Sequence, residues 1–180
     1  MLEIKKISTS DRREYAFVED LYLSSFPKEE RRECSQQRAF TDTNPVFSNN
    51  IIVEQEAFIG FVGYWHFEQY IYIEHFATHP GLRGRGYGQQ VLSLFKEQFP
   101  VPVVLEVEKP VNEISVRRIA FYKRQGFVLW EKDYLQPSYY KGGMPIPMYL
   151  MAYGALSAEN DFETVRDTLY RNVYGVRHSI

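Results

Sequence analysis

The stretch that most constrains this chain runs from Tyr72 to Gly88, where a strand-like segment breaks at Pro80 and a loop leads into a helix. The loop is rich in glycine and arginine: Gly84, Gly86 and Gly88 are interleaved with Arg83 and Arg85. Glycine lets backbone N–H groups approach a ligand closely, and the N-terminus of a helix carries partial positive charge. Together with the two arginines, these features predict a loop that binds an anion such as a phosphate group.

Before the loop, hydrophobic spacing predicts one strand and two helices. Leu2 to Ser8 alternates as a strand does, and the helical repeat that follows should end near Ser25, because Pro27 disfavours helix in the residue before it. A second, very polar helix is predicted from Lys28 to about Phe40. Its polarity indicates either a solvated face or a lid over a substrate pocket.

Seven strands are predicted in total. Three follow at Ile51–Glu56, Ala57–Glu68 and Tyr70–Thr78, joined by connections so short that they must be antiparallel hairpins. After the loop come a helix to about Gln98, a strand at Val101–Val107, a helix at Ser115–Gln125, strands at Phe127–Lys132 and Met144–Tyr153, and an amphipathic helix over about 158–174. Pro145 and Pro147 indicate that the last strand lies at a sheet edge. The whole predicts a single α/β (α+β) domain over residues 1–180, with a mixed, mostly antiparallel sheet flanked by helices.

Composition and charge narrow the classes of partner. With 44% hydrophobic and 24% charged residues, the chain has the composition of a globular domain. A net charge of −2 disfavours a general nucleic-acid binder, which carries a basic face. Cys34 is the single cysteine, which excludes an intramolecular disulfide and a cysteine metal site. No signal core and no apolar run of membrane-spanning length is found, so we expect a cytoplasmic protein with no membrane partner.

Two phosphate-binding loops of other protein classes fit poorly. A nucleotide P-loop needs Lys and Ser or Thr at the helix start, and here Gln89 and Gln90 follow Gly88. The dinucleotide fingerprint needs G-x-G-x-x-G, whereas this loop has G-x-G-x-G, although Glu106 lies at roughly the distance of the ribose-binding acid. The hairpin strands before the loop also differ from a Rossmann unit, which would open the domain.

The whole pattern resembles the GNAT superfamily of N-acetyltransferases. Residues 83–88 match the family's R/Q-x-x-G-x-G/A loop, after a strand and at the start of an amphipathic helix. Residues 120–127, Ala-Phe-Tyr-Lys-Arg-Gln-Gly-Phe, resemble its second signature, F-Y-x-x-x-G-F, and residues 26–32 resemble an F-P-x-x-E-R segment of one branch. The resemblance covers about residues 1–153.

The resemblance implies acetyl-CoA as the donor substrate and no metal. Loop amides would grip its pyrophosphate, and the preceding strand, splayed by a bulge, would pair its backbone with the pantetheine arm. The residues so implied are Phe76, Ala77, Thr78, Arg83, Gly84, Arg85, Gly86, Tyr87 and Gly88. Ser115 stands where the family usually has Asn, and is expected to cap its helix and donate to the bound donor, with Asn112 as an alternative.

Two residues are candidates for the chemistry. Tyr122, in the second signature, is implied as the acid for the departing sulfur, the other interpretation being a tyrosine packed between helix and sheet. Glu74, on the strand before the loop, is a candidate base if burial raises its pKa, while a structural hydrogen bond or a water relay are the alternatives. His75 and His66 lie on strands expected to pair, and either could assist, but two histidines alone make no metal site.

We therefore hypothesise an N-acetyltransferase that moves an acetyl group to a primary amine by direct attack in a ternary complex. A non-catalytic acyl-CoA-binding or regulatory domain is the alternative, and would need neither Tyr122 nor Glu74. The acceptor, a small-molecule or peptide amine, is not readable from the sequence. No nucleic-acid partner is expected, a homodimer is left open, and His79 and His178 are expected to face solvent.

Overall fold

A computed structural model describes residues 1–176, which contain seven β-strands, five α-helices and two short 3₁₀ turns. The number of strands and the closing helix confirm the α+β class expected from the sequence. The chain divides into two compact units, Met1–Val101 and a second that begins at Pro102. A single domain over residues 1–180 stays a prediction, and His178 lies outside the described residues.

In the first unit four strands form an antiparallel meander. They are β1 (Leu2–Lys6), β2 (Phe47–Glu54), β3 (Ala57–His66) and β4 (Ile71–Thr78), and each pairs with the next. Three helices accompany them: α1 (Arg12–Ser25), α2 (Cys34–Thr43) and α3 (Tyr87–Gln98). The two predicted hairpins, β2–β3 and β3–β4, are confirmed. Their connections are too short for a crossover.

The meander is covered on both faces by aromatic packing. On one face the helical repeat of α1 is buried against β2 and β3, with Tyr22 6.2 Å from Phe61 between ring centroids. On the other face Tyr64 packs edge-on against Phe95 of α3 at 5.1 Å and against Phe99 at 5.4 Å. Because side chains alternate along β3, Phe61 and Tyr64 necessarily point to opposite faces.

The bounds predicted for the second helix, Lys28 to about Phe40, are wrong. Lys28–Glu30 form only a 3₁₀ turn, the backbone is extended at Arg31 and Glu33, and α2 runs from Cys34 to Thr43. Arg32 lies in the extended stretch and is 0% exposed. The interpretation of this segment as a solvated face is therefore wrong for Arg32. The side chain is buried because it reaches a carboxylate on β4, which sequence spacing does not reveal.

In the second unit three strands pair in the order β5-β7-β6, both pairs antiparallel. The elements are β5 (Val103–Glu108), α4 (Glu113–Arg124), β6 (Val128–Gln136), β7 (Ile146–Tyr153) and α5 (Ala158–Asn172). The expectation that β7 lies at an edge is wrong, because it pairs on both sides. Pro147 is tolerated there because the ladder to β5 ends at Met148, one residue further along.

The closing helix of the second unit is amphipathic, as its spacing predicted. Its apolar stripe is buried: Phe162, Val165, Leu169 and Tyr170. Phe162 lies 6.5 Å from Trp130, and Tyr170 lies 5.8 Å from Tyr134, so α5 covers β6.

Candidate active site

The glycine loop adopts a backbone that explains its composition. A 3₁₀ turn at Pro80–Leu82 leaves β4, after which Gly84 and Gly86 have φ of +75° and +81°, in the left-handed region that favours glycine. A Cβ added to Gly84 would meet nothing within 4 Å, so conformation rather than space requires glycine there. Gly86 is the N-cap of α3, and no side chain among the described residues caps that end. The first-turn N–H groups, which have no partner within a helix, make this helix terminus suited to an anion.

The loop is tied to the meander at both of its ends. The N–H of His79 donates to the carbonyl of Ile59 at 2.8 Å, and Nδ1 of the exposed His79 accepts from the N–H of Gly81 at 3.2 Å. At the helix end the hydroxyl of Tyr87 donates to Glu54 at 2.8 Å. The loop is therefore held in shape before any ligand binds.

Positive charge borders the loop. Arg83 and Arg85 are both exposed and lie on either side of Gly84. Guanidinium groups form strong, directional hydrogen bonds to phosphate oxygens. Glycine amides, a helix N-terminus and two cations thus converge within six residues, as expected for a phosphate-binding loop.

A β-bulge interrupts β4 just before the loop. Gly63 pairs with His75 and Tyr64 pairs with Ile73, so Glu74 is an extra residue without a counterpart on β3. A bulge breaks the side-chain alternation of a strand. Consequently the side chains of the consecutive residues Glu74 and His75 both lie on the face of the sheet that packs against α1 and α2. The resemblance implied a bulge in this strand, and the register locates it.

The side chain of Glu74 is fully buried and held by an ion pair. Both carboxylate oxygens accept hydrogen bonds from the guanidinium of Arg32, the one to Oε2 at 2.9 Å, and Oε2 also accepts from the indole N–H of Trp65 at 2.8 Å. Burial by itself would raise the pKa of Glu74, but the charge of Arg32, the nearby His75 and these hydrogen bonds lower it below its usual value. The net shift is downward, which contradicts the raised pKa on which the role of Glu74 as a base depended.

The two histidines of the paired strands have different surroundings. His75 is buried, donates from Nε2 to the carbonyl of Glu30 at 2.9 Å, and packs edge-on against Tyr22 and Phe26. Burial lowers the pKa of His75, although the charge of Glu74 opposes this shift. His66 is exposed and lies against Phe99 on the other face. These two side chains are therefore not brought together, and none of the described residues form a group suited to hold a metal ion.

Tyr122 lies near the end of α4 in the second unit, against the rings of Phe121 and Phe127 at 5.2 and 5.5 Å. Burial raises the pKa of Tyr122 to about 12, with the charge of Arg118 acting in the opposite direction. The phenol is therefore protonated at any physiological pH. A protonated hydroxyl can donate a hydrogen bond or a proton to a developing thiolate.

Ser115 is used within its own helix. Asn112 is the N-cap of α4, and its Oδ1 accepts from the N–H of Ser115 at 2.9 Å while the Ser115 hydroxyl donates to the Asn112 carbonyl at 2.9 Å. The Asn112 N–H in turn donates to the Ser115 hydroxyl at 3.2 Å. The N-cap is Asn112 rather than Ser115 as predicted, and Ser115, which is only 1% exposed, occupies the third position of the helix. Its hydroxyl is thus engaged in a capping box.

Comparison with known proteins identifies the family. The sequence model of the acetyltransferase (GNAT) family matches residues 15–127. The chain belongs to this family. A protein from Bacteroides thetaiotaomicron that is named as an acetyltransferase from the GNAT family is 50% identical, with a TM-score of 0.94 over 97% of this chain and 99% of that chain. No curated protein matches the chain.

More distant solved structures share the fold. An aminoglycoside 6'-N-acetyltransferase complexed with coenzyme A is 15% identical, with a TM-score of 0.56 over 83% of this chain and 95% of that chain. A ribosomal-protein-alanine N-acetyltransferase from Escherichia coli is 16% identical, with a TM-score of 0.55 over 89% of this chain and 98% of that chain. The chain is an acetyltransferase, and the comparisons give no support to the non-catalytic alternative. Among the described helices none is both long and apolar enough to cross a membrane.

Two features of this GNAT chain escaped the sequence-based prediction. Arg32 is the partner of Glu74, and the only signal near it was the F-P-x-x-E-R pattern, which matches residues 26–31 and ends one residue before Arg32. The second is the set of hydrogen bonds around Glu106 on β5, whose carboxylate accepts from the hydroxyls of Tyr134 and Tyr174 and from the amide of Gln136. No local pattern marks this cluster, because its members lie on β5, on β6 and just after the end of α5.

Proposed function

We propose that this GNAT protein transfers an acetyl group from acetyl-CoA to a primary amine by direct attack in a ternary complex. The observation that supports this most strongly is the loop of residues 83–88, where two left-handed glycines lead into the N-terminus of α3 beside two arginines. Family membership supplies the acetyl chemistry, and the loop supplies a site that fits the pyrophosphate of the donor. The acceptor is a small-molecule or peptide amine.

The donor would be held by the loop and by the strand before it. Backbone N–H groups of residues 84–88, with Arg83 and Arg85, would bind the pyrophosphate. Phe76, Ala77 and Thr78 pair with β3 on one side, and strand geometry directs alternate backbone groups to the other side. Those groups would hydrogen-bond the pantetheine arm as an added strand does.

The chemistry requires one proton to leave the amine and one to reach the sulfur. The amine nitrogen forms a bond to the carbonyl carbon, the carbon–sulfur bond breaks, and the overall proton count is unchanged. Tyr122 would donate to the departing sulfur, for which its raised pKa of about 12 keeps the phenol protonated. A free thiol has a pKa of about 8.5, so a hydrogen bond from Tyr122 that stabilises the thiolate fits better than complete proton loss from the phenol.

Glu74 is supported less well as the base. A base must accept a proton near working pH, whereas this carboxylate is ion-paired with Arg32 and has a lowered pKa. These contacts fit a structural role for Glu74, which the sequence left open as an alternative. A water relay would then take the proton from the amine. Ser115 is similarly supported as a helix cap rather than a direct donor contact.

The proposed function is tested by following acetyl-CoA consumption with a panel of primary amines and peptides. Amine-dependent release of free thiol, with acetylated product found by mass spectrometry, is the expected result. A matched control replaces each amine with the alcohol of the same carbon skeleton, which should give only background hydrolysis. Saturable acetyl-CoA binding without turnover on any amine or peptide would contradict the proposal.

A further inference from the structure

Arg32 has contacts that a solvated arginine does not make. Its guanidinium lies 4.9 Å above the ring of Phe40, donates to Gln37 at 3.0 Å, and forms the two hydrogen bonds to Glu74. The side chain is 1% exposed and that of Glu74 is 0% exposed. A planar guanidinium that bonds a carboxylate through two nitrogens fixes the position and orientation of both groups.

Arg32 belongs to a segment that is tied to the bulge of β4 at more than one point. The carbonyl of Glu30 accepts from Nε2 of His75 at 2.9 Å, one residue after Glu74 in the bulge. The backbone of Arg32 is itself held from α1, because its N–H donates to the hydroxyl of Tyr22 at 2.9 Å. Glu74 and His75 of the bulge therefore contact Arg32 and Glu30 of the same segment. This arrangement restricts the backbone of β4 where the strand departs from regular pairing.

We infer that Arg32 and Glu74 form a positioning pair that sets the backbone of β4 for acetyl-CoA binding. The inference rests on the proposed function, because residues 76–78 begin two positions after Glu74 and would hold the pantetheine arm. A bulge is a local departure from the ladder whose geometry depends on its surroundings. Here the surroundings are a fixed ion pair, so a change in either partner is transmitted along two residues of strand to the donor-binding backbone.

The contacts of Glu74 distinguish this role from general-base catalysis. Its carboxylate oxygens are engaged by Arg32 and Trp65, and the side chain is fully buried among these groups. If the pair acts by positioning, the negative charge itself is dispensable when the positive charge is removed with it. If Glu74 is the base, its loss cannot be repaired by a change at Arg32.

A double-mutant cycle of Arg32→Met and Glu74→Gln tests the inference. Each single variant leaves one buried charge without its partner, whereas the double variant is neutral and keeps an acceptor for the indole N–H of Trp65. We expect each single variant to raise KM for acetyl-CoA about tenfold or more, because small displacements of a binding group have large effects. We expect the double variant to regain most of that loss with kcat close to wild type.

The matched control is a second Arg–Glu pair in the same unit. Arg38 forms two hydrogen bonds to Glu19, but its side chain is 55% exposed. The variants Arg38→Met and Glu19→Gln, alone and combined, should leave KM for acetyl-CoA unchanged. Amide hydrogen exchange of residues 74–78 is measured in parallel, and should increase in each single variant of Arg32 and Glu74 and return toward wild type in the double variant.

The outcomes decide between the two roles. Lost kcat in the double variant, or an acetyl-CoA KM no better than in the worse single variant, would overturn the positioning pair. If a single variant fails to fold, the double variant is compared directly with wild type, and a lost kcat or an acetyl-CoA KM raised about tenfold or more would overturn the positioning pair. If the wild type turns over no amine, the proposed function fails, while acetyl-CoA affinity by calorimetry and the exchange of residues 74–78 still test the positioning pair.

Discussion

The indole N–H of Trp65 on β3 donates a hydrogen bond of 2.8 Å to Oε2 of Glu74 on β4. Trp65 pairs with Tyr72, two residues before Glu74, next to the point where β3 and β4 change register. The bond stabilises the ionised carboxylate, in addition to the two bonds from Arg32. A carboxylate held in this way stabilises the fold while it is ionised. Its contribution to the free energy of unfolding therefore depends on pH.

We predict that Glu74→Gln lowers the free energy of unfolding by roughly 3–5 kcal/mol near neutral pH, because Arg32 is left buried without a counter-charge. The pKa of Glu74 is lower in the folded than in the unfolded chain. Its ionised form therefore stabilises the fold above the unfolded value of about 4.3, and this contribution is lost as the pH falls through the folded pKa. Urea denaturation from neutral to acid pH should show the difference between variant and wild type narrowing below about pH 4. Glu19→Gln is the control, with an expected loss of less than about 1 kcal/mol, and an equal loss in both variants would contradict the prediction.

Tyr122→Phe should lower kcat by about a hundredfold and leave KM for acetyl-CoA unchanged, because only the hydroxyl is removed. Since the pKa of Tyr122 is about 12, its ionisation should produce no limb in the pH–rate profile below about pH 10. Steady-state kinetics across pH is the measurement. The control is Tyr170→Phe, which removes a hydroxyl that donates to the carbonyl of Leu135 in the same unit and should leave kcat unchanged. Unaltered turnover of Tyr122→Phe at every pH would rule out the hydroxyl as the acid.

Gly84→Ala should weaken acetyl-CoA binding through backbone strain alone. A non-glycine residue in the left-handed region costs about 1–2 kcal/mol, and no atom lies within 4 Å of the new Cβ. Gly142 provides a close match, since its φ is +78° and its added Cβ also meets nothing within 4 Å. Both alanine variants should lose similar stability in thermal denaturation, but only Gly84→Ala should raise the Kd for acetyl-CoA by calorimetry. Equal affinity in the two variants would argue against the loop as the donor site.

Arg85→Gln should raise the Kd for acetyl-CoA by about fivefold, the effect of roughly 1 kcal/mol of charge attraction in a solvated site. The difference from wild type should shrink as salt is increased, because exposed charges are screened. Arg117→Gln is the control, since Arg117 is exposed and pairs with Glu113 one turn away on α4. Titration calorimetry at two ionic strengths checks the prediction, which an affinity independent of Arg85 would contradict.

Ser115→Ala should lower the free energy of unfolding by about 1 kcal/mol, the usual contribution of a side-chain cap. Because the hydroxyl is engaged with Asn112, the Kd for acetyl-CoA should stay at its wild-type value. Denaturation and calorimetry on the same preparation distinguish the two roles. Weaker acetyl-CoA binding with full stability would instead support Ser115 as a direct contact to the donor.

The glycine loop could be predicted because its determinants are local. Gly84, Gly86 and the arginines beside them adopt a loop whose shape depends on the φ preferences of single residues and on the start of the next helix. The strands and helices around the loop follow from the spacing of apolar residues, which is also a property of short segments. Both features were therefore correct from the sequence, with errors of a few residues at element ends.

The sequence by itself determined the order of strands and helices along the chain, the backbone of the glycine loop and the position of Tyr122 on its helix. Only the tertiary structure decided that Glu74 is ion-paired and has a lowered pKa, because its partner Arg32 lies 42 residues away in the chain. The pKa of a buried carboxylate depends on which charges surround it after folding, and burial alone gives the opposite sign. The resemblance at residues 26–32 singled out the segment of Arg32, but no local pattern in either segment indicates that these two residues pair.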